Sequence, residues 1–247
     1  MIIGTEEPVA AAAIKSVREG DVAALTRLLT EHPELATAGL ASAHDRQRGM
    51  SRTLLHVVTD WPGNFPNGAE SVAVLVDAGA DVNATFCGPH SETPLHWAAS
   101  SDDVSVLDAL LDAGADIEAR GAVIGGGTAM SDATAFGQWK AARRLLERGA
   151  HTSMWESSAL GLLDRVEAYS DVQPHPTAEE TNECLWGACH GGHRDVAEFL
   201  LGRGADLNWV GWDNLTPLDA ADRSDATELV AWLRGKGAKS ASELGSE

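Results

Sequence analysis

Leu111–Ala119 reads LDAGADIEA, and close copies stand at Val76–Ala84 (VDAGADVNA) and Leu201–Asn208 (LGRGADLN). A second, partner motif recurs as well: TLLHVV from Thr53, TPLHWAA from Thr93, TAMSDAT from Thr128 and TPLDAAD from Thr216. Recurrence on this scale marks a unit that cannot bury its own apolar face and must stack on its neighbours.

Each unit follows one plan. A Thr opens a first helix, its hydroxyl placed to cap free backbone N–H groups, and Pro94 or Pro217 follows where a missing donor is harmless. A second helix, such as SVLDALLDAG, carries apolar residues at helical spacing. Gly79, Gly114, Gly149 and Gly204 then close it in a left-handed conformation. The Ala-Asp-x-Asn segment leads into an extended finger.

Composition bounds the partners. The 247 residues include 18 basic and 37 acidic side chains, a formal charge of −19, which repels phosphate backbones and anionic lipid. Nucleic acid and membrane are therefore not expected as partners, whereas a basic or neutral protein is compatible. The same charge also fits an acidic, bacterial-style surface that simply keeps the chain soluble. No apolar run approaches a membrane span. The opening MIIGTEEPVAAAA has no basic n-region, which argues against a cleaved signal peptide. Cys87, Cys184 and Cys189 are odd in number and unevenly placed, as in a cytoplasmic protein rather than a disulfide framework.

The segment Thr93–Ala99, TPLHWAA, resembles the ankyrin repeat signature T-P-L-H-x-A almost letter for letter. The resemblance extends from about Ala10 to Leu233. It implies seven units, with first helices beginning near Ala11, Thr53, Thr93, Thr128, Thr152, Glu183 and Thr216. The implied fold is an all-α solenoid of paired antiparallel helices with β-turn fingers, a single domain over residues 1–247. Its N-terminal cap spans about 8–38, its repeats about 49–210 and its C-terminal cap about 211–238, and the tail 239–247 is expected to fray. Four segments depart from the pattern: 39–52, WPGNFPNG at 61–68, GAVIGGG at 121–127 and DVQPHPTAEE at 171–180. All four are expected to project from one side, around a concave groove, with 121–127 a flexible finger.

In such proteins the ends of the inner helices and the fingers contact the ligand. Carried over by position, the inner-helix ends are Arg18 and Glu19, Asp60 and Trp61, Ser100 and Ser101, Ala135 and Phe136, Ala159 and Leu160, His190 and Gly191, and Arg223 and Ser224. The fingers add Met50, Arg52, His90, Glu92, Ile124, Glu180, Trp212 and Asp213. The expected partner-binding set is Arg52, Trp61, His90, Glu92, Phe136, Leu160, His190, Trp209, Trp212 and Asp213, a partly apolar groove rimmed by charge. Trp61, Trp209 and Trp212 are its aromatic anchors. Phe136 and Leu160 equally suit packing between repeats. Trp97, Trp155 and Trp186 read as packing residues, the last two standing where His56 and His96 stand in their own units. Those histidines belong to the family motif and bridge neighbouring repeats.

Phosphate-loop, H-E-x-x-H and G-x-S-x-G motifs are absent from the sequence, and no cofactor is expected. Cys184, Cys189, His190 and His193 have a C-x4-C-H-x2-H spacing, but the register puts both cysteines where small core residues sit, so no metal is expected. Two functions of different classes remain. The first is a protein-interaction module that recognises a protein or peptide through the groove and fingers. The second is a small-molecule binder, or a cofactor-independent cyclase or isomerase, in which the loops enclose an apolar pocket. Asp60, His90, Glu92 and His190 would then be the acid–base residues. Self-association through exposed tryptophans is a third.

Overall fold

The computed structural model describes residues 1–245. Seven helix–turn–helix pairs run through them: α1 (Pro8–Glu19) with α2 (Val22–Glu31), α4 (Leu54–Thr59) with α5 (Gly68–Asp77), α6 (Pro94–Ser100) with α7 (Val104–Asp112), and α8 (Ala129–Ala135) with α9 (Trp139–Glu147). The series continues with α10 (Met154–Ala159) and α11 (Leu163–Ser170), α12 (Ala178–His190) and α13 (Arg194–Gly202), and α14 (Pro217–Arg223) and α15 (Thr227–Gly235). Two short helices lie outside the pairs, α3 (Ala43–Gln47) and α16 (Ala241–Leu244).

The chain divides into two compact units, Met1–His151 and Thr152–Glu247, where the sequence suggests one continuous domain. In the first, the inner helices α1, α4, α6 and α8 stack in one layer and the outer helices α2, α5, α7 and α9 in another. Leu25, Leu54, Leu75, Leu95, Leu107 and Met130 are fully buried between the layers. In the second, α10, α12 and α14 form the inner layer over a core that includes Leu185, Trp186, Leu200, Leu218 and Leu233.

The motif residues do the joining. Thr53 N–H donates to His56 Nδ1 at 3.3 Å, so Nδ1 is the acceptor and Nε2 carries the proton, which it donates to the Glu92 carbonyl at 3.1 Å. His96 repeats the arrangement, with Nε2 3.5 Å from the Gly127 carbonyl. Trp186 does the same work with a different group, its indole N–H donating to the Leu215 carbonyl at 3.1 Å. In each case the acceptor is the residue just before the next pair's capping Thr. Finger side chains form a second ladder: Asn83 accepts from Asp116 N, Glu118 from His151 N, Asn182 from Asp206 N and Asn208 from Lys239 N, at 2.7–2.8 Å. Gly79, Gly114, Gly149 and Gly204 share φ values of 93–95°, so the expected left-handed closure recurs with little variation.

Four features differ from the sequence reading. A two-stranded parallel sheet pairs β1 (Ile2–Gly4) with β2 (Gly39–Ala41), both too short to show a period of two. The 121–127 finger is a closed turn: Ala122 is fully buried, its N–H donates to the Gly127 carbonyl, and the Gly126 N–H donates back to the Ala122 carbonyl. The tail is capped rather than frayed from Ser240 to Gly245. Ser240 and Glu243 form a reciprocal capping box, and Arg234 pairs with Glu243; residues 246–247 lie outside the described residues.

The fourth difference concerns the insertions of the first unit, which do not share a side. A finger precedes the N-terminus of an inner helix, whereas 61–68 follows the C-terminus of one. Asn67 donates to the Gly20 carbonyl at 2.9 Å, and Asn64 N–H to Asp103 at 2.8 Å, both in helix–helix turns of neighbouring pairs. Gly20 is required there, since a Cβ would meet the Pro66 carbonyl oxygen at 2.4 Å. WPGNFPNG therefore covers the turn end, opposite 39–52 and 121–127.

Candidate functional site

Within the first unit the candidate residues fall into two groups. At the turn end, Asp60 caps α4 and lies 3.4 Å from Arg18 Nη2. Arg52, whose backbone precedes the other end of this six-residue helix, extends its side chain along it to bring Nη1 within 3.3 Å of Asp60. Arg52 is itself anchored through reciprocal backbone hydrogen bonds with Leu40. Beside this cluster Trp61 is 82% exposed, and two pairs further on Phe136, at the C-cap of α8, is 47% exposed. Trp61, left this open, does little packing, and it follows directly on the charged Asp60.

At the finger end, His90 is exposed while Glu92 is buried before α6. Burial raises the Glu92 carboxyl pKa, against the hydrogen bond it accepts from Trp97 and the field of His90. Trp97 also packs edge-on to His56 at 5.0 Å and tilted to Phe86 at 5.6 Å. Close by is an acid that sequence reasoning missed. Asp132, on α8, is fully buried, and its pKa is pushed up to about 7 by burial and by the Glu92 charge. Its Oδ1 accepts the Ile124 N–H at 3.3 Å, whereas Oδ2 is buried with no hydrogen-bond partner. Asp132 thus pins the glycine finger from beneath. The signal was present: Thr128 to Asp132 has the spacing of Thr53 to Val57 and Thr93 to Trp97, so the acid occupies a position other units keep uncharged.

In the second unit the tryptophans cluster. Trp212 packs edge-on against Trp155, Trp186 and Trp209 at centroid distances of 5.7, 5.2 and 5.8 Å. Trp209 lies half-buried against the unit's core, which corrects the expectation that both finger tryptophans are free anchors. Trp212 keeps 43% of its surface exposed and Val210 keeps 46%. Asp213, at φ 57°, accepts a hydrogen bond from Arg223 at 2.7 Å, and that guanidinium lies over the Trp186 ring.

Two further assignments are corrected. Leu160 is 2% exposed and belongs to the interior, because α10 ends on it in a tight turn at Gly161. His190 is 6% exposed, its ring 5.3 Å from Trp186 and its Nδ1 3.4 Å from the Ser224 hydroxyl. The four acid–base candidates are not assembled into one site. Asp60 is engaged by two arginines at the turn end, His90 and Glu92 lie at the finger end, and His190 is inside the other unit. Cys184 and Cys189 are buried, with thiol pKa values pushed up by burial, to about 12 for Cys184. Such thiols are poor sources of the thiolate that metals require.

Stacked helix pairs, three of them tied to the next by a buried side chain reaching a finger carbonyl, define a repeat module with its variable residues at helix ends and fingers. Models of the ankyrin repeat match residues 10–121 and 64–154 as three-copy arrays and 182–212 as a single repeat. The chain belongs to the ankyrin repeat family. It is 34% identical over 188 residues to an ankyrin repeat and KH domain-containing protein of Caenorhabditis briggsae, covering 71% of this chain and 7% of that protein. It is 26% identical over 172 residues to alpha-latrocrustotoxin-Lt1a of Latrodectus tredecimguttatus, covering 70% of this chain and 10% of the toxin. The chain therefore spans a small fraction of either relative's length. The crystal structure of the human ASB11 ankyrin repeat domain matches with a TM-score of 0.52 at 17% identity, covering 90% of this chain and 96% of that domain, and shows the shared fold.

Proposed function

We propose that this chain is a protein-interaction module that binds a protein or peptide through the concave face of its inner helices, with the fingers and the 61–68 insertion contributing. The observation that carries this reading is Trp61, 82% exposed on an insertion tied to both neighbouring turns, by the Asn64 N–H to Asp103 and by the Asn67 side-chain amide to the Gly20 carbonyl. An exposed aromatic ring on an anchored insertion beside a charged cluster is the composition of an interface hot spot, where one residue contributes upwards of about 2 kcal/mol. Arg18, Arg52 and Asp60 set orientation and association rate more than affinity. The charge of −19 favours a partner with a basic surface, and among the described residues no helix is long and apolar enough to cross a membrane. We place the module in the cytoplasm, a compartment in keeping with its three free cysteines.

The test is selection of binding peptides from a displayed library, followed by titration against the Trp61→Ala/Phe136→Ala double variant. A loss of tenfold or more with an unchanged unfolding midpoint is expected. Peptides that bind the variant as tightly as the parent, and cross-link nowhere near residues 60–64 or 136, would refute the assignment.

A further inference from the structure

The second unit contains a cleft of about 580 Å³ that no repeat motif explains. It exists because the connector 171–177 replaces the usual finger, and α12 begins early, running 13 residues where its neighbours α10 and α14 run 6 and 7. The additional first turns of α12 form one wall, the start of α10 and the end of α11 another, and the prolines of the connector a third. A volume of this size falls within the range of sites that hold a ligand.

The lining has a consistent chemistry. Trp155 and Tyr169 supply aromatic surface, and the Tyr169 hydroxyl is already committed to the Thr152 carbonyl. Val172 is 60% exposed and Tyr169 42%, so apolar surface continues out of the cleft along the connector. Between Asp171 and Glu183 the chain carries Asp171, Glu179, Glu180 and Glu183 and no lysine or arginine. Glu180 is engaged by Thr177, accepting from its N–H at 2.8 Å and its hydroxyl at 2.9 Å, and Asp171 is paired with Arg203 at 2.9 Å. Glu183 is different. It is half-buried in the cleft lining, and among the described residues its carboxylate meets neither a cation nor a hydrogen-bond donor. Burial and the charges of Glu179 and Glu180 raise its pKa, so a cation placed there would relieve a standing repulsion.

We propose that this cleft receives a basic side chain, a lysine or arginine on an extended segment of the partner protein, with its apolar stem against Trp155 and Val172 and its charged head at Glu183. The assignment rests on the interaction-module reading and names the partner chemistry at one site. Long cationic side chains bury their stems while keeping the head paired, and an aromatic wall adds a cation–π contribution.

The probes are acetylated, amidated alanine pentapeptides bearing one central arginine, lysine, citrulline or glutamate, with arginine amide alone as a fifth ligand. Each is titrated into the full chain while the Trp155 indole and the amides of residues 172–184 are followed by NMR. The arginine and lysine peptides are expected to give saturable shifts there, and the citrulline and glutamate peptides none. Glu183→Gln should weaken the arginine peptide at least tenfold. Shifts confined to other regions, an effect of Glu183→Gln under twofold, or equal binding of the citrulline peptide would overturn the proposal; the citrulline arm needs no variant to fold. Arginine amide binding as tightly as the peptide would overturn the partner segment in favour of a small cation. Library peptides that depend on Trp61 while the cleft stays silent would sink this inference alone. A responsive cleft with no peptide depending on Trp61 or Phe136 would sink the turn-end site instead.

Discussion

Replacing Asp132 by Asn should make the first unit more stable at neutral pH, although it removes a buried polar group's charge and adds no contact. The folded-state pKa of about 7 exceeds the ordinary 3.8 because the carboxyl is buried and faces Glu92, while only the Ile124 and Val123 N–H groups oppose the shift. A carboxyl raised in the folded state favours folding most below 3.8. That contribution then falls by about 1.36 kcal/mol per pH unit until the folded group also ionises near 7. Across the interval the accumulated loss is about 4 kcal/mol. Asn approximates the neutral acid, its carbonyl oxygen keeping the Ile124 N–H and its Nδ2 taking the Oδ2 position, where the neutral acid's O–H likewise meets no acceptor, so its stability lacks this dependence. The difference between variant and parent should be small at pH 4, grow through pH 6 and level off by pH 8. Urea midpoints at each pH measure it, since titrations common to both proteins cancel in the difference. Hydrogen exchange at the Val123 and Ile124 amides should show the finger slowing in step. Parallel midpoint profiles from pH 5 to 8, or a less stable variant at pH 8, would refute the assignment of Asp132 as a neutral buried acid.

His56 should give the opposite dependence. Burial lowers its pKa to about 4 from 6.5, so its contribution is present above 6.5 and lost as pH falls towards 4, about 3 kcal/mol in all; His56→Gln should flatten that limb of the profile. Trp212→Ala removes three edge-on aromatic pairs at roughly 0.5–1.5 kcal/mol each and should destabilise the second unit by about 2–4 kcal/mol, with loss of near-ultraviolet circular dichroism. An unfolding midpoint unmoved by that change would return Trp212 to the role of a free anchor. Trp186→Phe keeps a ring but removes one of the two donors to the Leu215 carbonyl, the Gly211 N–H remaining, and should cost about 0.5–1.5 kcal/mol. Trp186→His tests the equivalence with His56 and His96 and should restore part of that loss, as read from chemical denaturation.

The helix pairs were legible because their determinants are local: the capping threonines, the apolar stripe and the closing glycines each act within one turn of the chain. Trp186 shows how far position alone could go. Its register placed it where His56 and His96 stand, but only the structure shows that its indole N–H reaches the same carbonyl. Trp155 marks the limit. Helix α10 takes Ser153 as its cap and pairs it with Glu156, so Trp155 falls one place short of the capping position and its indole N–H is buried without a partner. One residue of slippage, invisible in the spacing, turns a motif position into part of a cleft wall. The side on which an insertion lies was set by which end of a helix it follows, a topological fact that composition does not carry, and so WPGNFPNG was grouped with the fingers. Asp132 and Glu183 escaped for a related reason. Each is an ordinary acid by type, and it becomes unusual only through what a neighbouring segment covers: the closed 121–127 turn over Asp132, and the proline connector beside Glu183. In a stacked repeat the framework follows from short-range pattern, while the reactive and binding positions arise where one repeat departs from pattern and its neighbour does not.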